Sequence, residues 1–453
     1  MKGYYNNLAL LTDLYEFTMA ACYYHHQMFA PATFSLFIRE YPPHRGYFVS
    51  AGLEEVLNLL ESFHFAQDDL DYLASLKLFS EDFLHYLSNL RFTGDVFAIP
   101  EGRIFFKEEP VLEITAPIIE AQLVETFVMN AINLQVTIAT KAARCVYAAK
   151  GRKLVDFSLR RTQGIDAGLK VARASYIAGF IGTSNVLAGK LYNIPVFGTM
   201  AHSFVTSFER EIDAFRAFAE MFPENTVLLI DTYDTIIGAH KAAIVGKEMA
   251  AAGKKLKGVR LDSGDLVRLS KEVRAVLDEA ELQEVSIFAS GGLDEYKIAH
   301  LLEQGAEIDA FGVGTKMGVS ADAPYTDLAY KLVQYDGRPV LKLSTGKRTL
   351  VGEKQVFRIE KEGRLKQDII ALRDETLDGE PILKQVMKNG KRIKPSEDLK
   401  VIRERFKEEF AKLDERYKRL KAPEHFPVQI SPGLQKLQNQ VIFKVREKEL
   451  GES

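Results

Sequence analysis

Apolar and polar positions alternate along this chain in three successive textures. Up to about residue 125 helical and strand periods are mixed. Leu8 to His25 and Leu53 to Phe63 carry apolar residues at helical spacing, Thr33 to Ile38 alternates as a strand does, and Gly94 to Gly102 and Pro110 to Thr115 predict short strands between turn residues. From 126 to 335 short apolar runs recur, at 153–157, 179–182, 194–197, 226–230, 258–261, 285–289 and 308–313. Each run is followed by small or polar residues and then by a helical stretch. Near-continuous apolar strands in regular β-then-α alternation predict a parallel sheet. Seven such units fit an incomplete TIM-like α/β barrel better than two Rossmann halves. Residues 336–453 form a C-terminal α+β region expected to pack on the N-terminal one. There Val340 to Leu343 and Gln355 to Ile359 look like strands. Ser396 to Leu420 reads as one amphipathic helix, with Leu399, Ile402, Phe406, Phe410, Leu413, Tyr417 and Leu420 three and four apart.

Composition narrows the function classes. The chain has 453 residues, 47% apolar and 27% charged, which is the balance of a globular protein of more than one domain. A net charge of -3 gives no electrostatic case for nucleic acid. The two cysteines, Cys22 and Cys145, form no Cys-x-x-Cys pair, so reduced thiols in a cytoplasmic protein are expected. The start, Met1 to Asn6, lacks the apolar run of a signal peptide, and no stretch approaches the ~18 apolar residues of a membrane span.

Barrel active sites lie at the C-terminal ends of the strands. The residues following the seven runs are Ser158-Leu159-Arg160-Arg161-Thr162, Thr183-Ser184-Asn185, Thr199-Met200-Ala201-His202-Ser203, Asp231-Thr232-Tyr233-Asp234, Arg260-Leu261-Asp262-Ser263-Gly264-Asp265, Ser290-Gly291-Gly292 and Gly312-Val313-Gly314-Thr315-Lys316. Nearly all suit a phosphate, a ribose or a metal ion. The last two are glycine-rich loops opening helices, where bare amides approach an anion. Taken singly, each could be a tight turn. Asp231, Asp262 and Asp265 form a carboxylate set suited to a magnesium diphosphate or to ribose hydroxyls. A lone Asp at such a place is more often a helix cap, and Asp265 fits the cap role best. His202 alone among the histidines follows a barrel strand directly, with small neighbours, although a hydrogen-bonded structural imidazole is the plainer alternative. No histidine pair has metal-site spacing. Gly312-x-Gly314 does not fit the dinucleotide fingerprint, and Gly189-Lys190 is not a P-loop.

Several runs, in order, resemble the nicotinate phosphoribosyltransferase family. They are Leu10-Leu11-Thr12-Asp13-Leu14-Tyr15-Glu16, Gly198 to Phe204, Arg260 to Asp265, Ala289 to Leu293, and Gly346 to Arg358 with its Gly352-x-Lys354-Gln355-Val356-x-Arg358 core. The resemblance spans about 8 to 440. It implies a type II phosphoribosyltransferase fold, an irregular barrel (126–335) beside an N-terminal α/β sandwich (1–125). It implies conversion of nicotinate and phosphoribosyl pyrophosphate to nicotinate mononucleotide and pyrophosphate, a step of NAD salvage. ATP would be a co-substrate hydrolysed in step, a ligase-type reaction, with Mg²⁺ as the cofactor. It makes His202 the phosphohistidine and Asp231 and Asp262 the groups facing the cationic ribose carbon. Tyr15, Phe157, Arg160, Thr183, Ser184, Ser203 and Arg260 become substrate contacts; Tyr15 would stack on the pyridine ring, and Phe157 falls where a related nicotinamide-using enzyme stacks its aromatic residue. Arg39, Ser290, Gly291, Gly292, Gly312, Gly314, Thr315 and Lys316 become phosphate contacts. Tyr15 and Arg39 would reach a neighbour's site in a homodimer with shared active sites. Metal ligands are not assigned.

A related amide-using enzyme, nicotinamide phosphoribosyltransferase, is the near alternative. It places an Asp where this chain has Ser184, and without that carboxylate an acidic substrate is not repelled. Arg160 can supply it with charge-assisted hydrogen bonds. A sugar-phosphate barrel lyase or isomerase would want a strand-end Lys or Glu base, and neither stands out. An inactive barrel acting as a binding module would not need His202, Asp262 and Gly291 together.

Overall fold

The computed structural model describes residues 8–344 and 349–451. Met1 to Asn6, and Gly346 to Arg348 of the C-terminal motif, lie outside them. The chain forms two compact units, one of residues up to 137 together with those from 325 onward, the other of 138–324.

The first unit is built on a seven-stranded sheet. Its order is Arg338–Pro339, Leu328–Tyr335, Pro31–Ile38, Pro110–Pro117, Asp95–Ala98, Lys384–Lys388, Lys391–Arg392. Neighbours run antiparallel. The central strand Pro31–Ile38 is buried at every position after the first, so it is covered on both faces. Helix Leu53–Ser62 turns Leu53, Val56, Leu57 and Leu60 into the core. Each such side chain contributes ~1.5–3 kcal/mol when fully buried. An aromatic group of Phe17, Phe65, Phe79, Phe83, Tyr24 and Tyr86 fills the space beneath the N-terminal helices. A four-stranded sheet, in the order Glu380–Pro381, Lys354–Lys361, Arg364–Leu372, Val428–Ile430, completes this unit.

Three sequence expectations shift here. The first helix begins at Leu14, not Leu8, because the chain before it is held by Asp13 and Thr126, whose hydroxyl donates to the Asp13 carboxylate at 3.0 Å. Residues 340–343 form no strand. The expected helix from Ser396 to Leu420 is two, Leu399–Lys412 and Glu415–Lys418. Leu413 between them is extended and buried, and the Asp414 carboxylate caps the second helix by accepting the Arg416 amide. A short polar side chain that binds the backbone locally competes with helix continuation.

The second unit carries a parallel sheet. Strands Gly182–Thr183, Lys153–Asp156, Ala310–Val313, Ser286–Ala289, Gly258–Leu261 and Val227–Leu229 lie side by side in that order. All pairs are parallel. Val196 adds a single parallel bridge to Thr183. Pro195 lacks an amide proton, and Val196 and Phe197 are exposed, so the third run does not grow into a strand. In chain order the sheet reads 3-2-1-7-6-5-4, with first and last strands adjacent. A doubly wound sheet would place the fourth strand beside the first. The strand interiors, Leu154, Val155, Leu228, Leu229, Val259, Leu261, Ile287, Ala289, Phe311 and Val313, are almost fully buried. Each strand leads into a helix. Asn185, Asp234, Asp265 and Asp294 cap helices Val186–Tyr192, Thr235–Ala251, Leu266–Glu279 and Glu295–Glu303 through their side chains. The polar clusters at the strand ends therefore supply helix caps.

Candidate active site

The strand ends of the second unit gather around Arg260. Its Nη1 donates to Thr199 Oγ1 at 2.9 Å and to the Met200 carbonyl at 3.2 Å, and its Nε donates to Ser290 Oγ at 3.1 Å. Nη2 lies 3.4 Å from Asp262 Oδ1. The guanidinium also sits 5.9 Å from the centre of the Phe157 ring. Four loops thus meet at one arginine. Asp262 is held by the Ser290 hydroxyl as well. Partial burial opposes its charge, but the Ser290 hydroxyl, Arg260 and nearby His202 outweigh that and keep its carboxyl below the usual range. Its backbone amide donates to Asp231 Oδ2 at 2.9 Å, and the Ser263 hydroxyl donates to the same oxygen at 2.6 Å. Asp231 Oδ1 is buried without a hydrogen-bond partner among the described residues.

His202 opens the short helix His202–Thr206. Its Nδ1 lies 3.1 Å from the Thr232 hydroxyl, next to Asp231 in the chain. Nε2 makes no hydrogen bond among the described residues. With the proton on Nδ1, donated to Thr232, Nε2 keeps its lone pair.

Two glycines shape the floor. Gly291 has a φ of +92°, and a Cβ there would lie 1.9 Å from the Asp262 carbonyl oxygen. The amides of Gly291 and Gly292 give no hydrogen bond among the described residues, which leaves both N–H groups for a ligand. A Cβ on Gly312 would lie 2.7 Å from Phe157 and 3.0 Å from Phe288, so the Phe157 ring rests against bare backbone. Beside this floor Lys316 pairs with Asp294 at 2.7 Å, and Lys297 donates to the Gly291 carbonyl at 3.2 Å. Burial opposes the charge of Asp294, but Lys316 and the Lys297 amide hold its carboxyl below the ordinary value.

On the other flank Asp156 ends the first strand, fully buried. It accepts from the amide and hydroxyl of Ser158 and from the Thr183 hydroxyl. Burial pushes its carboxyl upward, and these three donors pull against that. Ser184, the next residue, is half-buried.

Of the residues singled out in the sequence, His202, Asp231, Asp262, Arg260, Ser290, Gly291, Phe157 and Gly312 are joined by these contacts. Thr183 and Ser184 border the same strand ends, and Gly292, Gly314, Thr315 and Lys316 continue the glycine loops. Arg160 is exposed and makes no ion pair among the described residues, and Ser203 is exposed one residue past His202. Tyr15 and Arg39 belong to the first unit. There Tyr15 is 49% exposed, while Arg39 pairs with Asp327 at 3.3 Å. The sequence reading missed Asp156 and Asp294. An Asp two residues before a Ser at a strand end, and an Asp just ahead of a helical run, were the available signals.

Three family models cover most of the chain: the nicotinate phosphoribosyltransferase N-terminal domain over residues 10–133, the nicotinate phosphoribosyltransferase family over 152–361, and its C-terminal domain over 376–438. A nicotinate phosphoribosyltransferase of Mycobacterium tuberculosis is 52% identical over 85% of this chain and 83% of its own. One of Bacillus subtilis is 38% identical over 97% and 96%. The crystal structure of human nicotinic acid phosphoribosyltransferase superposes with a TM-score of 0.85 at 29% identity, covering 95% of this chain and 99% of that one. No helix among the described residues is long and apolar enough to cross a membrane. With the strand-end cluster, these matches make the chain an enzyme of the nicotinate phosphoribosyltransferase family.

Proposed function

We propose that this enzyme joins nicotinate to phosphoribosyl pyrophosphate in NAD salvage, coupled to ATP hydrolysis through transient phosphorylation of His202. The pyridine nitrogen carries a free lone pair and needs no general base. It attacks the ribose C1, the bond from C1 to the diphosphate oxygen breaks, and pyrophosphate leaves with that electron pair. Catalysis then rests on positioning and on charge placed in advance. The charged carboxylate of Asp262, with Asp231 beside it, suits the positive charge that builds on the ribose carbon. The unbonded amides of Gly291 and Gly292 suit phosphate oxygens, with Gly314, Thr315 and Lys316 alongside. Phe157 on its glycine floor offers the ring a flat apolar face.

In the coupled step His202 Nε2 attacks the terminal phosphorus of ATP, ADP departs, and water later takes the phosphoryl group. The phosphate adds roughly -2 charge beside Asp262 and Arg260 and reorganises these loops for sugar-diphosphate binding. Bound Mg²⁺ would neutralise part of the diphosphate charge. The residues fit it, since Asp231 offers a buried carboxylate oxygen with no partner among the described residues. Magnesium is commonly held by one or two carboxylates together with substrate phosphates.

The same reading takes the parallel sheet as an incomplete α/β barrel, open between its third and fourth strands, which the adjacency of first and last strands supports. It takes the enzyme as a cytoplasmic homodimer in which Tyr15 and Arg39 serve the partner's site. The half-exposed Tyr15 ring supports the latter.

The observation that carries the reading is the bonded set Arg260, Asp262, Ser290 and Asp231 beside His202. A product assay with nicotinate, nicotinamide and quinolinate, each with and without ATP, tests it. Nicotinate mononucleotide should form fastest, and faster with ATP. A preference for nicotinamide would overturn the substrate assignment.

A further inference from the structure

Asp156 has no place in the mechanism above, yet it joins the end of the first strand, next to Phe157 in the chain, to the end of the second. Its Oδ1 accepts the Ser158 amide at 2.9 Å and the Ser158 hydroxyl at 2.6 Å. Its Oδ2 accepts the Thr183 hydroxyl at 2.7 Å. The Thr183 oxygen in turn accepts the Asn185 amide at 3.0 Å. Asn185 caps the next helix and ties it back to the Gly168 carbonyl at 3.1 Å. Asp156, Ser158, Thr183 and Asn185 are all at most 3% exposed. The chain from the first strand to the helix after the second is thus one side-chain network with a carboxylate at its centre.

The network also fixes where protons are. A hydroxyl has one proton to give. Ser158 and Thr183 give theirs to Asp156, and Thr162 has the Leu159 carbonyl at 3.0 Å as its nearest acceptor, with the Gly164 carbonyl at 3.2 Å. Of the four hydroxyls in these two segments, only that of Ser184 has no acceptor among the described residues. Ser184 is held in place from behind, its amide donating to the Asp156 carbonyl at 2.8 Å.

We propose that Asp156 is a positioning residue for the pyridine substrate, committing the Ser158 and Thr183 protons so that Ser184 alone presents a hydroxyl proton to the substrate's acidic group. The proposal rests on the nicotinate reading above. A carboxylate substrate accepts hydrogen bonds only, so a wall with one aimed donor recognises it, while a wall of mobile hydroxyls would serve acid and amide alike. Asp156 touches neither substrate and acts through Thr183 and Ser184. Its loss should therefore be felt in nicotinate binding and not at the diphosphate, which lies with the Gly291 and Gly312 loops.

Steady-state kinetics of the full-length enzyme, varying each substrate in turn, test this. Asp156→Asn keeps the shape but replaces one acceptor by a donor facing the Thr183 hydroxyl. The KM for nicotinate should rise about tenfold or more, and that for phosphoribosyl pyrophosphate should stay within about twofold. Thr183→Val should raise the nicotinate KM in the same way, and Thr183→Ser, which restores the hydroxyl, should recover most of the loss. The Asp156→Asn, Thr183→Val double variant should be no worse than the poorer single one, since both cut the same bond. Equal rises in both KM values, or a Thr183→Ser enzyme as impaired as Thr183→Val, would overturn the proposal. The Thr183 pair decides it alone if Asp156→Asn does not fold. Failure of the unmutated enzyme to form nicotinate mononucleotide would sink the underlying reading instead, before any variant is compared.

Discussion

Gly291 and Asp262 meet back to back, with no room for even a methyl group between the glycine α-carbon and the aspartate carbonyl, 1.9 Å from where a Cβ would sit. The glycine also holds a φ of +92°. Gly291→Ala therefore meets a backbone clash and a disfavoured conformation that costs ~1–2 kcal/mol by itself. The loop must move away from Asp262, and its two open amides move with it. The KM for phosphoribosyl pyrophosphate should rise at least about tenfold, with a smaller change for nicotinate. Unaltered diphosphate binding in this variant would show that the loop does not cradle the phosphates.

His202→Ala should abolish ATP coupling and leave a slow, ATP-independent transferase. Thr232→Val should have a milder effect, because Nδ1 loses the hydroxyl that orients the imidazole. Phosphorylation should slow about tenfold, the scale of one lost hydrogen bond of ~1–1.5 kcal/mol. Labelled ATP reads both, as acid-labile, base-stable label on the protein. Full ATP stimulation of His202→Ala would refute the role.

Ser184→Asp puts a carboxylate where the acid group of the substrate is expected, so nicotinate use should fall steeply while nicotinamide use holds or improves. Comparing the two kcat/KM values checks this, and an unchanged nicotinate rate would remove Ser184 from the specificity argument.

Glu295 is fully buried between two cations, Lys141 at 2.5 Å and Arg144 at 2.9 Å. It is the first residue of the helix that follows the Ser290 loop. Glu295→Gln removes the negative charge from between Lys141 and Arg144 in a buried site, although Asp322 stays paired with Lys141 at 2.6 Å. Breaking such a pair costs about 3–5 kcal/mol. The urea midpoint should fall accordingly, and a loss below about 1 kcal/mol would contradict the buried-pair account.

In the first unit, burial and the neighbouring Glu125 raise the Glu16 carboxyl from 4.5 to about 7. The folded state therefore favours its acid form. The stability Glu16 contributes is full below about pH 4.5 and is lost as pH rises through 7. Glu16→Gln fixes the neutral form, so its melting temperature relative to the unmutated enzyme should climb between pH 5 and pH 8. A difference that stays constant across that range would argue against a proton on Glu16.

Much of the second unit was legible in the sequence because its strands are buried on both faces. Val227 to Leu229 and Ala310 to Val313 stand out as runs with no polar side chain. Pairing order was less legible, since contact between the first strand and the last spans the whole unit and leaves no local pattern. The same holds for Lys384–Lys388, which pairs with Asp95–Ala98 from the far end of the chain. At the site, residues on short loops after strands could be read one by one from position. What could not be read was partnership: that Lys316 faces Asp294, that His202 faces Thr232, or that Asp156 binds two hydroxyls from different strands. Each of these depends on where a neighbouring loop comes to rest.

The missing side chain at Gly312 has a mechanical consequence. A platform that leaned on another side chain could yield whenever that neighbour changed rotamer. On its Gly312 side Phe157 leans on main chain, and that main chain is laced into the strands on either side, while the Phe288 ring meets another edge with ring centres 5.7 Å apart. On that side the aromatic shelf has the stiffness of the sheet itself, and pressure on the ring is passed to backbone rather than to a rotamer.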